Sequence, residues 1–386
     1  MTRIERLYAA VGLAWLLVAA LLGFAIALFG PELIPYPVLK FHIHAAVLGG
    51  ILHLWFALLS ERMGGLFPGH GAGFTLLVLT HGAIGAFTAG LVWKTALLAL
   101  AAILIMAALL AVLLLSWRAF LKHGGFRPEN GGLRPHAGAL LLATGAIAAF
   151  SGAAWMGWRM SQEGFLFPLK TAHTMLGVFG GLVMAALSID HLPSPGDPPH
   201  VWGWQPVTEL VMTGLAAASA AVLGLYGQAG RMDIPFLMLG GVAVLHFVSL
   251  LPRKSSEQIT AWAISILLLT GVILLHRFHD GGGEDVRRAA HHAIVTGFVL
   301  PLLLGHAFGA AGAFGPSAVA SIRLVTGGAG LLVIGFIVRS AGLAGAETLL
   351  MAAGFVTAAS VAFGAKVFFE APGDSAEHDL PASRGA

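Results

Sequence analysis

The chain has no cysteine. That excludes disulfides, thiolate zinc sites, iron–sulfur clusters and covalent CxxCH haem attachment, so any haem must be held non-covalently through His or Met. Charge is scarce as well: 10% of residues are Asp, Glu, Lys or Arg, against ~25% in an ordinary soluble domain. The net charge is +3 and the basic residues are scattered, which excludes nucleic acid as a partner. The three tyrosines are Tyr8, Tyr36 and Tyr226, and none is expected beside a histidine within an apolar segment. Acids are missing from the middle of the apolar segments too: Asp190 falls near a helix end and Glu209 near a helix start.

What remains is apolar. Hydrophobic residues make up 58% of the 386, mean hydropathy is +0.87, and there are 52 glycines. Small residues let spanning helices approach closely. Twelve apolar segments, each near the ~20 residues needed to cross the hydrocarbon, run approximately over 7–30, 38–60, 73–93, 95–117, 137–158, 168–190, 206–228, 234–252, 259–277, 289–311, 318–340 and 347–369. The expected fold is all-α: a polytopic membrane protein whose helices form one bundle over 1–370, with a disordered tail over 371–386. No loop is long enough for a soluble domain, and the first segment reads as a retained span rather than a cleaved leader. With the N-terminus cytoplasmic, nine Lys and Arg residues fall inside against eight outside. The 118–136 loop, with four basic residues and one acid, favours cytoplasmic N- and C-termini.

The histidines sort by depth into two layers. His42, His44, His173, His276, His291 and His292 lie near one end of their spans, and His53, His81, His246 and His306 near the other. Ionisable residues in a bilayer are costly and usually carry a partner or a function, so imidazoles at matching depths point to bound metal. At 100° per residue, His42 and His53 share a helix face ~16 Å apart, and His292 and His306 lie ~21 Å apart. Pro301 is expected to kink the helix between the latter two. His44 points ~160° away from His42, so one of the two is available to a second metal. For His276, His279 and His291 a plain interfacial role competes with ligation, and for the mid-span histidines a satisfied interhelical hydrogen bond does. His70, His123, His136, His191, His200 and His378 read as solvated.

The stretch Phe41-His42-Ile43-His44-Ala45-Ala46-Val47-Leu48-Gly49-Gly50, after one helix and a Pro-rich loop, resembles the FHxHxxxxG signature of NnrS-type membrane proteins. His291-His292-Ala293-Ile294-Val295-Thr296-Gly297 is similar to that family's HAxTxG block. Ala45 and Ala46 stand where the family commonly places Glu-Met. The twelve-helix plan is also distantly similar to subunit I of haem–copper oxidases. The resemblance implies one or two haem b groups, optionally with copper, and a link to nitric oxide and denitrification. It also implies a bacterial inner-membrane location, with NO as a gaseous ligand and a redox protein as a partner.

Two sites are therefore expected. His42, His44, His173 and His292 would form the first, with His291 and His276 nearby; His53, His81, His246 and His306 would form the second. Neutral imidazole would give Nε2 to the metal and keep its other N–H for a neighbouring acceptor. Lys40, Arg159, Arg287 and Arg339 are candidates for pairing with haem propionates. NO binding or electron transfer through bis-His haem demands least of these residues. Two alternatives stand beside it: an oxidase- or NO reductase-like catalytic subunit, and a histidine-lined transporter of copper, haem or protons. No repeat is evident between 1–190 and 200–386.

Overall fold

The computed structural model describes residues 1–63, 66, 70–122, 135–163, 167–192, 205–226, 231–249 and 258–371. Within them it is all-α. The helices are α1 (Arg3–Phe29), α2 (Tyr36–Arg62), α3 (His70–Val92), α4 (Ala96–Lys122), α5 (Pro135–Glu163) and α6 (Pro168–Asp190). They continue as α7 (Gln205–Leu225), α8 (Asp233–Ser249), α9 (Gln258–His279), α10 (Glu284–Ala310), α11 (Pro316–Ser340) and α12 (Ala346–Glu370). Eleven are long and apolar enough to cross a membrane, and α8, the remaining apolar helix, is shorter at 17 residues. At 1.5 Å per residue α8 spans ~26 Å, the lower limit for a crossing. The chain is a multi-pass membrane protein. The tail expected to be disordered lies outside the described residues, apart from Ala371.

The packing follows a three-part plan rather than two halves. Helices α2, α6 and α10 touch one another at the centre, and the other nine surround them in chain order. Each central helix is the second of a four-helix unit: α1–α4, α5–α8 and α9–α12. Burial agrees, since 72% of the most apolar stretch of α2 and of α6, and 67% of that of α10, is covered by protein, against 22% for α1 and 28% for α3. In lipid such contacts come from close packing and interhelical hydrogen bonds. At Gly181 of α6 an added Cβ would lie 2.4 Å from the Phe150 ring on α5, so only glycine permits that approach.

All three central helices also change winding at the same place. Each passes from α to π geometry just after its histidines, over Ala45–Ile51, Met175–Val183 and Val295–Val299, and returns to α afterwards. Such π segments are uncommon and concentrate at functional sites, because they redirect the side chains next to them. In α10 the π segment directly precedes Pro301, whose missing N–H accounts for the disturbance expected there.

The two chain ends share one face. Thr2 and Glu5 form a capping box at the start of α1, with Thr2 N donating to Glu5 (2.7 Å) and Glu5 N to Thr2 Oγ1 (3.4 Å). Ser60 donates to the other oxygen of the buried Glu5 (2.7 Å), fastening α2 to α1. Arg6 donates to the Ala371 carbonyl (3.0 Å), which brings the end of α12 to the same face.

Candidate metal centre

At the face remote from the termini, the N-terminal parts of α2, α6 and α10 each carry histidine at one depth. His42 Nδ1 donates to the Ala19 carbonyl on α1 (2.8 Å), and His173 Nδ1 to the Ala153 carbonyl on α5 (2.7 Å). His44 Nδ1 donates to Lys40 O (2.9 Å) and His292 Nδ1 to Arg288 O (2.8 Å), each one turn back on its own helix. A carbonyl can only accept, so in all four the proton sits on Nδ1 and Nε2 keeps its lone pair. None of these four Nε2 atoms has a hydrogen-bond partner among the described residues. This is the arrangement a metal-ligating imidazole requires: one nitrogen oriented by an acceptor, the other available.

Two of the four, His44 and His173, form a close ring pair. The His44 and His173 rings lie 6.3 Å apart, centroid to centroid, at 24° to one another, with Phe87 stacked on His44 at 4.0 Å. His42 is within electrostatic reach of His292, which packs against Phe336 at 5.2 Å. The opposed directions of His42 and His44 expected from helical phase thus send one toward α10 and the other toward α6.

Gly23 makes room for the His42 ring, and Gly157 lies in ordinary contact with that of His173. A Cβ at Gly23 on α1 would lie 2.8 Å from His42 Cε1, and one at Gly157 on α5 would lie 3.5 Å from His173. Each glycine sits four residues after the carbonyl that holds the ring, as Ala19…Gly23 and Ala153…Gly157. That spacing is the sequence signal of both anchors, and histidine counting passes over it. Gly23→Leu is expected to displace the His42 ring. Metal bound there should then fall by about tenfold or more in affinity, in the range seen when a supporting residue of a ligand is lost. Titration of metal into the purified variant, beside a thermal unfolding curve that shows an intact fold, checks this.

The second layer is built differently. His53 Nδ1 donates to Leu48 O (3.0 Å) and its Nε2 accepts from the Thr80 hydroxyl (3.0 Å). His81 Nδ1 donates to Leu77 O (2.9 Å) and its Nε2 accepts from Trp15 Nε1 (3.3 Å). Both rings therefore use both nitrogens within the protein and meet edge to face at 5.0 Å. Here the satisfied interhelical hydrogen bond describes the geometry, because Trp15 and Thr80 supply donors where a metal would need a lone pair. Tyr8, expected to stand apart from the intramembrane histidines, lies 5.7 Å from the His53 ring and donates to Gly73 O (2.7 Å).

His246 and His306 converge instead on Asp190, which bridges α8 and α10 from the end of α6. His246 Nε2 is 3.4 Å from one carboxylate oxygen and His306 Nε2 3.5 Å from the other. His246 Nδ1 is held by Ser265 (2.9 Å). Asp190 closes α6 and Glu209 lies near the start of α7, as expected, and each contacts histidine there. Glu209 is fully buried and bonded to His191 Nε2 at 2.5 Å, with Gln205 on its other oxygen (2.9 Å). His191, read as solvated, is buried too. The remaining loop histidines, 70, 123, 136, 200 and 378, have no described side chain.

The other candidates separate by partner. His276 contacts Asp233 (2.5 Å) and Asp280 (3.3 Å) at an exposed edge. Together they are the one trio of His and acid donors among the described residues whose ligand atoms lie mutually within 4.8 Å. Arg159 is tied to Glu163 on its own helix (2.6 Å). Arg339 holds Asp285 in a two-bond fork (2.7 and 3.0 Å) and lies over the Phe336 ring. These two guanidiniums already have carboxylates. Arg287 is likewise held by Glu284 (2.7 Å), and it gathers with Lys40 and with Lys170, a residue the sequence did not single out.

Comparison with protein families, with characterised proteins and with solved structures finds no match to this chain.

Proposed function

We propose that this is a multi-pass membrane metalloprotein that binds haem through paired histidines and works in nitric oxide or related redox metabolism, in a bacterial inner membrane. The observation that carries the reading is the common state of His42, His44, His173 and His292. Each holds Nδ1–H against a backbone carbonyl and keeps Nε2 unbonded, at one depth, beside a π segment. Four imidazoles held alike, each with a free Nε2, fit the donor set of iron or copper.

His42 with His292, and His44 with His173, would each supply a two-imidazole set, one haem b per pair, copper being the alternative occupant of one. Bound haem iron supplies reversible one-electron chemistry and affinity for a small gas such as NO. The protein's own contribution is orientation. Backbone carbonyls fix the tautomers, Gly23 seats the His42 ring, and Phe87 and Phe336 pack those of His44 and His292. His53 and His81, whose nitrogens are both engaged, would shape the bundle and bind no metal.

The test is the optical spectrum of the protein purified from haem-replete cells, with iron and copper quantified in the same sample. A Soret band with one to two irons per chain is the expected result. A colourless, metal-free preparation that takes up neither haem nor copper would overturn the reading and favour a histidine-lined carrier.

A further inference from the structure

The metal-side face of the bundle carries a positive charge excess that the histidine pairs do not use. Each central helix places a cation in its first turn or just beyond, ahead of its histidine: Lys40 before His44, Lys170 before His173, Arg287 before His291. The helix N-terminus is the positive end of the peptide dipole, and a cation there is disfavoured. Here three such ends and three cations meet. Lys40 is within electrostatic range of both Lys170 and Arg287, and Lys170 of Arg287. The neighbouring acids do not balance them. Glu284 pairs with Arg287 (Nε–Oε2 2.7 Å) and Asp280 with His276 (3.3 Å), which leaves Lys40 and Lys170 as the excess charge.

A narrow cleft opens at this point between α6, α9 and α10, lined by Lys170, Thr174, Phe278, His279, Arg287 and His291. Two of its imidazoles are orphaned: the Nε2 atoms of His279 and His291 are buried without a hydrogen-bond partner among the described residues. A buried polar atom without a partner calls for a ligand, ion or water to complete it. Cations, helix N-termini, a threonine hydroxyl and imidazole N–H groups are all donors or positive charge, the chemistry that receives an anion.

We infer that this cleft is a binding site for a small oxyanion, of nitrate to phosphate size, held by Lys170 and Arg287 with Lys40 completing the positive field. His279 and His291 line its wall, each with an unpartnered Nε2 just beneath the surface. The site lies next to the paired histidines, so the anion's charge would favour oxidised metal there, but binding does not depend on metal and a colourless protein would show it as well. The same donors could serve the carboxylates of bound haem, and the experiment separates the two sources.

Full-length protein in an uncharged maltoside detergent, free of phospholipid, is titrated with sodium nitrate and with sodium phosphate by calorimetry, before and after haem loading. Saturable one-to-one binding of at least one anion is expected in both states. Lys170→Gln and, separately, Arg287→Gln should each weaken it about tenfold or more, the usual loss for one charge-assisted hydrogen bond. Two variants are used so that one that fails to fold leaves the other to read. Absence of saturable heat in the parent, or unchanged affinity in a folded variant, overturns the inference. Loss of anion binding on haem loading overturns it in favour of haem carboxylates.

Discussion

Alanine at His292 is expected to remove one of two haem equivalents and to leave the other in place. The same loss is expected for His42→Ala, and the double variant should lose no more than either alone, because residues acting as one unit are not additive. His42→Ala combined with His44→Ala should lose both equivalents, since those rings face different partners, α10 and α6. Iron per chain and Soret absorbance read the outcome directly. Two equivalents lost in the His42/His292 double variant would refute the pairing, and an unchanged spectrum in His292→Ala would strike it from the ligands. His81→Ala is the contrast: its nitrogens serve Leu77 and Trp15, so the spectrum should stay as it was.

The second large effect concerns folding. Asp190→Ala strips the bridge between α8 and α10 and leaves His246 and His306 without the carboxylate that both approach within 3.5 Å. Leaving such polar groups without their partner costs about 1–3 kcal/mol, a substantial part of the ~5–15 kcal/mol that holds a typical protein together. A marked fall in the thermal unfolding midpoint in detergent is therefore expected. Asp190→Asn keeps the shape and some hydrogen bonding and should fall between the two. A midpoint within a degree or two of the parent for Asp190→Ala would show that the triad contributes little. Haem content separates this effect from ligand loss, because Asp190 belongs to the opposite side of the bundle from the His42–His292 pair.

Hydropathy alone determined that this chain is a multi-pass helical membrane protein, and depth along each span alone placed its intramembrane histidines in two layers. Both are properties of one segment at a time, so local composition and the rise of a helix suffice to read them. The opposed directions of His42 and His44 were legible for the same reason, as both lie on one helix. The three-unit plan was not, since a repeat carried by helix order and by matching π segments leaves little identity of sequence behind.

Only the tertiary structure decided what each imidazole is bonded to. His53 and His42 look alike in the sequence, yet Thr80 and Trp15 occupy the His53–His81 pair while Ala19 leaves His42 its Nε2. Asp190, at a helix end, became the centre of a partly buried triad because α8 and α10 bring their histidines to it. Lys170 joined Lys40 and Arg287 because three helix starts converge. Hydrogen-bond partners and charge neighbours are set between helices, so the identity of a donor or acceptor on another span decides whether a buried nitrogen is available to a ligand.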